Sequence, residues 1–177
     1  MVEFTFAPSQ IKSVKKDEEE ILFLGFMASD QAYCFHINYI KEILKIPKIF
    51  TLPQTPTFLK GVIELRGTIL PILDLKERFS LGSVHPKKGR IIVLTISNQM
   101  LGILVDRVTE VFAVSPKEIK PTPLVIHQTI LPFMEGMVLV KDMLYYILNP
   151  KNLLSAREYK MLESHFPSYE ENSKKQE

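Results

Sequence analysis

Four histidines, one cysteine and two carboxylates that end apolar runs are the residues here with the means to do chemistry, and their spacing argues against most of it. His36, His85, His127 and His165 are scattered, and none stands at ligand spacing from another histidine or from Cys34. A zinc site needs donors that converge, so no metal is expected. Asp74 and Asp106 each follow a strongly apolar run. A carboxylate there could work as an acid or base with a nearby histidine, or it could accept the backbone N–H groups left free where a strand stops. No glycine-rich loop leads into a helix, so there is no phosphate cradle. A nucleophile elbow and a paired-histidine motif are also missing. Lys87, Lys88 and Arg90, with His85 beside them, form a short basic cluster without interleaved aromatics, which reads as a solvated loop rather than a nucleic-acid groove. These residues point to a protein that binds rather than catalyses, with no cofactor.

Composition supports that reading. The chain has 177 residues, 46% hydrophobic and 24% charged, enough to bury a core as one domain or two small subdomains. A net charge of +2 is too small for a broad nucleic-acid or membrane footprint. One cysteine excludes an internal disulfide framework and fits a reducing compartment. The longest apolar run, Ile21 to Ala28, falls far short of the roughly 20 residues a bilayer span requires. The first residues do not resemble a signal peptide, being broken by Pro8, Ser9, Gln10 and Lys12. The expectation is a soluble cytosolic protein.

The positioning elements read mainly as strands. Residues 1–19 form a charged leader, in which Phe4-Thr5-Phe6 could add an edge strand. Ile21 to Met27 and Tyr33 to Ile37 flank a polar turn and predict a hairpin. Tyr39 to Ile46 predicts a helical turn leading into a strand. Gly61 to Leu65 and Thr68 to Leu75 flank Gly67, which supplies the positive φ a tight hairpin wants. Pro71 removes a ladder donor, so its strand should be an edge or bulged there. Lys76 to Phe79 reads as a helical turn. Ser80 to Gly89 is polar and predicts a break between two halves, near residues 80–90. Ile91 to Ile96 and Leu101 to Val105 give another hairpin, Val108 to Val114 alternates, Lys117 to Pro132 reads as loop, and Glu135 to Val140 with Met143 to Leu148 forms the last pair. A helix over 155–166 closes the fold: Ser155 and Glu158 fit a capping box, Tyr159, Leu162 and Phe166 share one stripe, and Pro167 stops it. Residues 167–177 are a polar tail. Ten short strands without strand–helix alternation predict an all-β fold of two five-stranded barrels. No internal sequence repeat stands out.

One run goes further. Gly61-Val62-Ile63-Glu64-Leu65-Arg66-Gly67, followed by Pro71, Asp74 and Leu75, resembles the hallmark of the CheW family, a G-V-x-N-L-R-G strand and then an apolar strand reaching P-x-x-D-L. Gly102 to Val108 with Glu110-Val111, the segment ending Ile40-Lys41-Glu42-Ile43, and Thr57 to Lys60 match in the same order. The resemblance covers about Ile21 to Leu154, within a domain set at residues 20–154, and Glu64 stands where the family usually has asparagine.

The resemblance implies two SH3-like barrels and a non-catalytic chemotaxis adaptor. Such an adaptor bridges the cytoplasmic signalling tip of chemoreceptors and the related regulatory domain of a CheA-type histidine kinase, and it joins membrane receptor arrays only through protein contacts. It implies partner-binding roles for Arg66, Ile40 and Glu42, and for Val62 and Leu65 either groove wall or core. Arg66 could instead be an internal clamp on Asp74 or Glu64. Gly61, Gly67, Pro71, Asp74, Gly102 and Asp106 belong to the structural motif. Related adaptors serve flagellar or non-flagellar systems such as twitching and gliding. A nucleic-acid-binding barrel and an enzyme built on Asp74 or Asp106 are the readings from other classes.

Overall fold

The computed structural model describes residues 19–126 and 128–165. Among them the apolar runs become β1 (Ile21–Ala28), β2 (Gln31–His36), β3 (Ile40–Lys45), β4 (Leu59–Leu65), β5 (Thr68–Asp74), β6 (Arg90–Ile96), β7 (Gln99–Val105), β8 (Arg107–Val114), β9 (Met134–Val140) and β10 (Met143–Leu148). Two helices accompany them, α1 (Leu75–Arg78) and α2 (Ala156–His165). Residues 1–18, with Phe4-Thr5-Phe6, lie outside the described residues, as do His127, Phe166, Pro167 and the tail. Three hairpins turn on Arg66-Gly67, Ser97-Asn98 and Lys141-Asp142, with φ between 48° and 78° at all six residues. That left-handed geometry matches the twist of the paired strands.

The strands form two five-stranded sheets: sheet I in the order β8-β1-β2-β10-β9, and sheet II in the order β3-β6-β7-β5-β4. In both, an outer strand and a hairpin pair antiparallel, the hairpin meets a second hairpin in parallel, and that second hairpin supplies the far edge. Substituting β8, β9–β10 and β1–β2 for β3, β4–β5 and β6–β7 turns one sheet into the other. Sheet II is continuous in the chain, whereas sheet I is split around it.

The repeat extends to the sequence once the topology shows where to look. Phe58, Gly61, Arg66-Gly67 and Ile72-Leu73-Asp74 recur 75 positions later as Phe133, Gly136, Lys141-Asp142 and Ile147-Leu148-Asn149. Corresponding backbone bonds recur too: Asp74 N–H donates to Phe58 O at 2.7 Å, and Asn149 N–H to Phe133 O at 2.8 Å.

Neither sheet is a closed barrel. Each curls until the chain beyond its outer strand makes one isolated bridge with the far edge, Phe50 with Val62 in sheet II and Lys120 with Met137 in sheet I. At the first bridge Gly61 has φ of +137°, and a Cβ there would stand 2.0 Å from Phe50 O, so only glycine fits. Pro71 obeys the same geometry. Val62 uses its N–H and C=O on Phe50, so its cross-strand partner Pro71 turns its missing donor toward β7, whose pairing begins only at Ile72 and Gly102. The strand is thus interior in the sheet and an edge only at Pro71.

The largest core lies between the sheets. Phe26, Tyr33 and Phe35 of sheet I meet Leu73, Ile92, Leu94 and Ile103 of sheet II there, with Leu153, Leu154 and Leu162 closing one side. Smaller cores fill each sheet's concave face, around Phe112 and Tyr145 in sheet I and around Leu70, Ile72 and Ile91 in sheet II. The inner strands are therefore covered on both faces, which is why they read as continuous apolar runs rather than alternating ones.

The expected break near residues 80–90 is not where the sheets part. Ser80–Gly89 joins α1 to β6 within sheet II, and the chain changes sheet at Ile37–Tyr39 and at Asp106. A polar, proline-containing loop mimics a boundary in sequence, whereas the actual crossings are short and follow apolar strands without a change in composition. Asp106 clasps the second crossing, accepting from Ser29 N–H at 2.7 Å and pairing with Lys76 Nζ at 3.3 Å. Arg78 ties the sheets further: its guanidinium lies 4.3 Å from the Phe58 ring centre and 5.1 Å from that of Phe133, while pairing with Glu158 of α2. The capping box predicted for α2 is present, with Ser155 N–H donating to Glu158 Oε2 and Glu158 N–H to Ser155 Oγ.

Candidate interaction surface

The β4–β5 hairpin carries Arg66 to an exposed tip. Its turn leaves two residues between the paired Leu65 and Thr68, so the backbone has little freedom and the guanidinium starts from a fixed point. Opposite it, β3 presents Glu42. Arg66 Nη1 donates to Glu42 Oε1 at 2.6 Å and Nη2 to Oε2 at 2.8 Å, the two-pronged fit of guanidinium to carboxylate. The pair is lopsided: the Arg66 side chain is 69% exposed and that of Glu42 only 20%. Glu42 thus serves as the anchor and Arg66 as the displayed group. The hydrogen bonds from Arg66 hold the Glu42 carboxyl below the usual carboxylate range.

The alternative clamps for Arg66 do not form. Glu64 points to solvent on β4. Asp74 is fully buried and occupied: Oδ1 accepts from Lys76 N–H at 2.9 Å and Glu77 N–H at 3.3 Å, and Oδ2 from Val84 N–H at 2.8 Å. Burial pushes its pKa up, against the opposing pull of those backbone donors. It caps α1 and pins the start of the following loop, as the sequence reading allowed for a carboxylate at a strand end. Burial likewise pushes the Cys34 thiol up, which leaves it a packing residue and a poor nucleophile. Among the described residues no three potential donors gather to hold a metal.

Of the other residues singled out from sequence, Ile40 is half-buried two positions from Glu42 and packs on the inter-sheet core. Leu65 is half-buried at the hairpin end and packs inside sheet II. Val62 is 7% exposed with its backbone held in the Phe50 bridge, which favours its alternative as core and leaves little of its side chain for a groove wall. Gly67 meets nothing within 4 Å and serves the turn alone, whereas a side chain at Gly102 would meet Ile72 and Ile91. Sequence reasoning missed the partner tip: Lys141, at the position corresponding to Arg66, donates to Glu110 of β8 at 2.9 Å, as Arg66 does to Glu42 of β3. The signal that finds it is the 75-residue offset, which is weak because only spaced positions agree.

Comparison with known proteins follows the same outline. A family model described as the CheW-like domain matches residues 22–158. A probable chemotaxis protein CheW of Rhizobium etli is 28% identical over 149 residues, 84% of this chain and 95% of the relative. The chemotaxis protein CheW of Helicobacter pylori is 34% identical over 113 residues, 63% of this chain and 68% of the relative. The crystal structure of the scaffolding protein TtCheW from Thermoanaerobacter tengcongensis superposes with a TM-score of 0.73 at 32% identity, covering 83% of this chain and 96% of that one. With two sheets of matching build, a tip arginine where the hallmark run requires it and a family match over most of its length, this chain belongs to the CheW family.

Proposed function

We propose that the chain is a non-catalytic chemotaxis scaffold that couples chemoreceptors to a CheA-type histidine kinase, with Arg66, Glu42, Ile40 and Leu65 on the coupling surface. The observation that carries this reading is the forked Arg66–Glu42 pair, a displayed guanidinium locked by a sheltered carboxylate on a rigid tip. An exposed ion pair contributes little to folding, so fixing a guanidinium in place at the surface has its main use in recognition, where a preordered side chain lowers the entropy lost on binding. The rest of the body fits the role of spacer: two sheets joined by a large common core, by Asp106 and by Arg78 hold separate faces at a fixed distance.

The test is a reconstituted receptor–kinase assay with the full chain. Arg66→Ala should melt with the parent yet lower kinase coupling at least tenfold, roughly the effect of removing an interface anchor. The exchange Glu42→Arg with Arg66→Glu separates two roles. If the pair only braces the tip, the exchange restores coupling; if Arg66 reads a partner, coupling stays lost. Recovery of coupling by the exchange, or normal coupling in Arg66→Ala, removes Arg66 from the surface. Pull-down of the parent without a chemoreceptor and a histidine kinase removes the scaffold reading itself.

A further inference from the structure

The near-neutral total hides two unlike halves. From Ile37 to Val105, the stretch that builds sheet II, ten lysines and arginines stand against four acidic residues, a net of +6. The remaining described residues carry seven against ten, a net of −3. The positive charge gathers at one corner of sheet II. Lys45, the last residue of β3, is the cross-strand partner of Arg90, the first of β6. Lys48 follows β3 and Lys87-Lys88 precede β6, so all five cations leave the same end of one strand pair.

The corner is ordered rather than loosely solvated. Asp74 holds the loop at Val84 N–H. His85 then closes a tight turn, accepting from Lys87 N–H at its Nδ1 and from Lys88 and Gly89 N–H at its carbonyl. Gly89 is buried, 2.8 Å from Val105 O at the place a Cβ would take. The acids of sheet II are committed elsewhere or lie elsewhere: Glu42 to Arg66, Glu77 to Lys60, Asp74 to backbone, Glu64 near the opposite tip. Arg90 donates to the carbonyls of Lys88 and Gly89, and Lys48 lies over the Phe50 ring. Phe50 and Ile43 are both exposed beside these cations.

We propose that this corner is a docking surface for an acidic protein segment, separate from the Arg66 tip. Like charges held together on an ordered loop repel one another, and a partner of opposite sign relieves that repulsion while steering association. Exposed isoleucine among the cations suits a mixed polypeptide surface. A phosphate backbone instead calls for cations spread along its path and for several stacking rings, whereas Phe50 is the one exposed phenylalanine or tyrosine ring among the described residues.

The experiment titrates the full chain with a labelled oligoglutamate about eight residues long at about 20 mM salt, where screening is weak. Changing Lys45, Lys87 and Lys88 together to Gln should weaken binding about tenfold, as three partly screened contacts would. The same charge change at the exposed Lys151, Arg157 and Lys160 should weaken it less than about twofold. Equal losses from both triple variants, equal binding of an oligoglutamine of the same length, or no binding by the parent would overturn the proposal. Tighter binding of a single-stranded oligonucleotide or of phosphatidylglycerol vesicles would overturn it in favour of a phosphate site.

Discussion

The two hairpin tips are the same structure carrying different chemistry. Each follows a glycine at the closing bridge, turns through two left-handed residues and sends a cation back to a glutamate on its sheet's outer strand. In sheet II the cation is an arginine making two bonds to a glutamate only 20% exposed; in sheet I it is a lysine making one bond to a glutamate 35% exposed. The faces beside the tips differ as well. Glu64 stands opposite Ile69 on one hairpin, and Leu139 opposite Leu144 on the other, all four exposed. Glycines and buried positions are kept between the repeats because the fold demands them, while the displayed side chains are free to diverge. Divergence of equivalent tips is what a protein needs if its two ends are to meet different surfaces.

Four measurements break or sharpen this comparison. The largest effect belongs to the closing bridges. Gly61→Ala forces a methyl into Phe50 O at a left-handed φ and should cost about 4 kcal/mol in urea unfolding. Gly136→Ala meets Lys120 O at 2.8 Å without a left-handed φ and should cost about 2 kcal/mol. Equal losses would mean that the two closures are energetically alike despite their different geometry.

Next come the strand-end caps. Asp74→Ala strands three backbone donors, the one at Val84 buried and those at Lys76 and Glu77 part-buried, and should cost about 3 kcal/mol. Asn149→Ala removes one capping bond, to Lys151 N–H at 3.0 Å, and should cost about 1 kcal/mol. The third measurement is a pH series on Asp74→Asn. The folded pKa of Asp74 is raised, so its contribution is full below the unfolded value of about 3.9 and is lost as pH rises through the folded pKa. The parent should therefore gain on the variant as the medium is acidified from neutrality. A parent that loses ground on acidification would show the backbone donors outweighing burial. Glu42 runs the other way, since its lowered pKa puts its contribution above the unfolded value and removes it in acid.

The smallest effects lie at the tips. Arg66→Lys and Lys141→Arg should both melt with the parent, because exposed pairs add little to stability. Only the first should lower kinase coupling, since an ammonium cannot make the two-pronged contact. Loss of coupling in Lys141→Arg would give the two tips equal standing.

Much of this was readable in advance. The hairpins, the turn at Arg66-Gly67, the capping box at Ser155 and Glu158, and the strand-end role of Asp74 follow from local rules, where neighbours in sequence are neighbours in space. Pro71 was half legible: its missing donor does face an unpaired stretch, but its strand is interior. The boundary near residues 80–90 misled because a polar loop marks exposure, and exposure is not the same as a change of sheet. Glu42 and Arg66 were each singled out through the resemblance, yet separately; their pairing spans 24 residues and two strands, and no periodicity encodes it.

The sequence by itself determined the strand count, the β class and the family, because backbone propensity, turn chemistry and a hallmark run are properties of short stretches. The tertiary structure decided that sheet I is split around sheet II, that the main core lies between them, that tip cations meet outer-strand glutamates twice over, and that five cations of sheet II share one corner. Those outcomes depend on which distant segments pack together, and packing is selected by the burial of whole faces rather than by any residue's immediate neighbours.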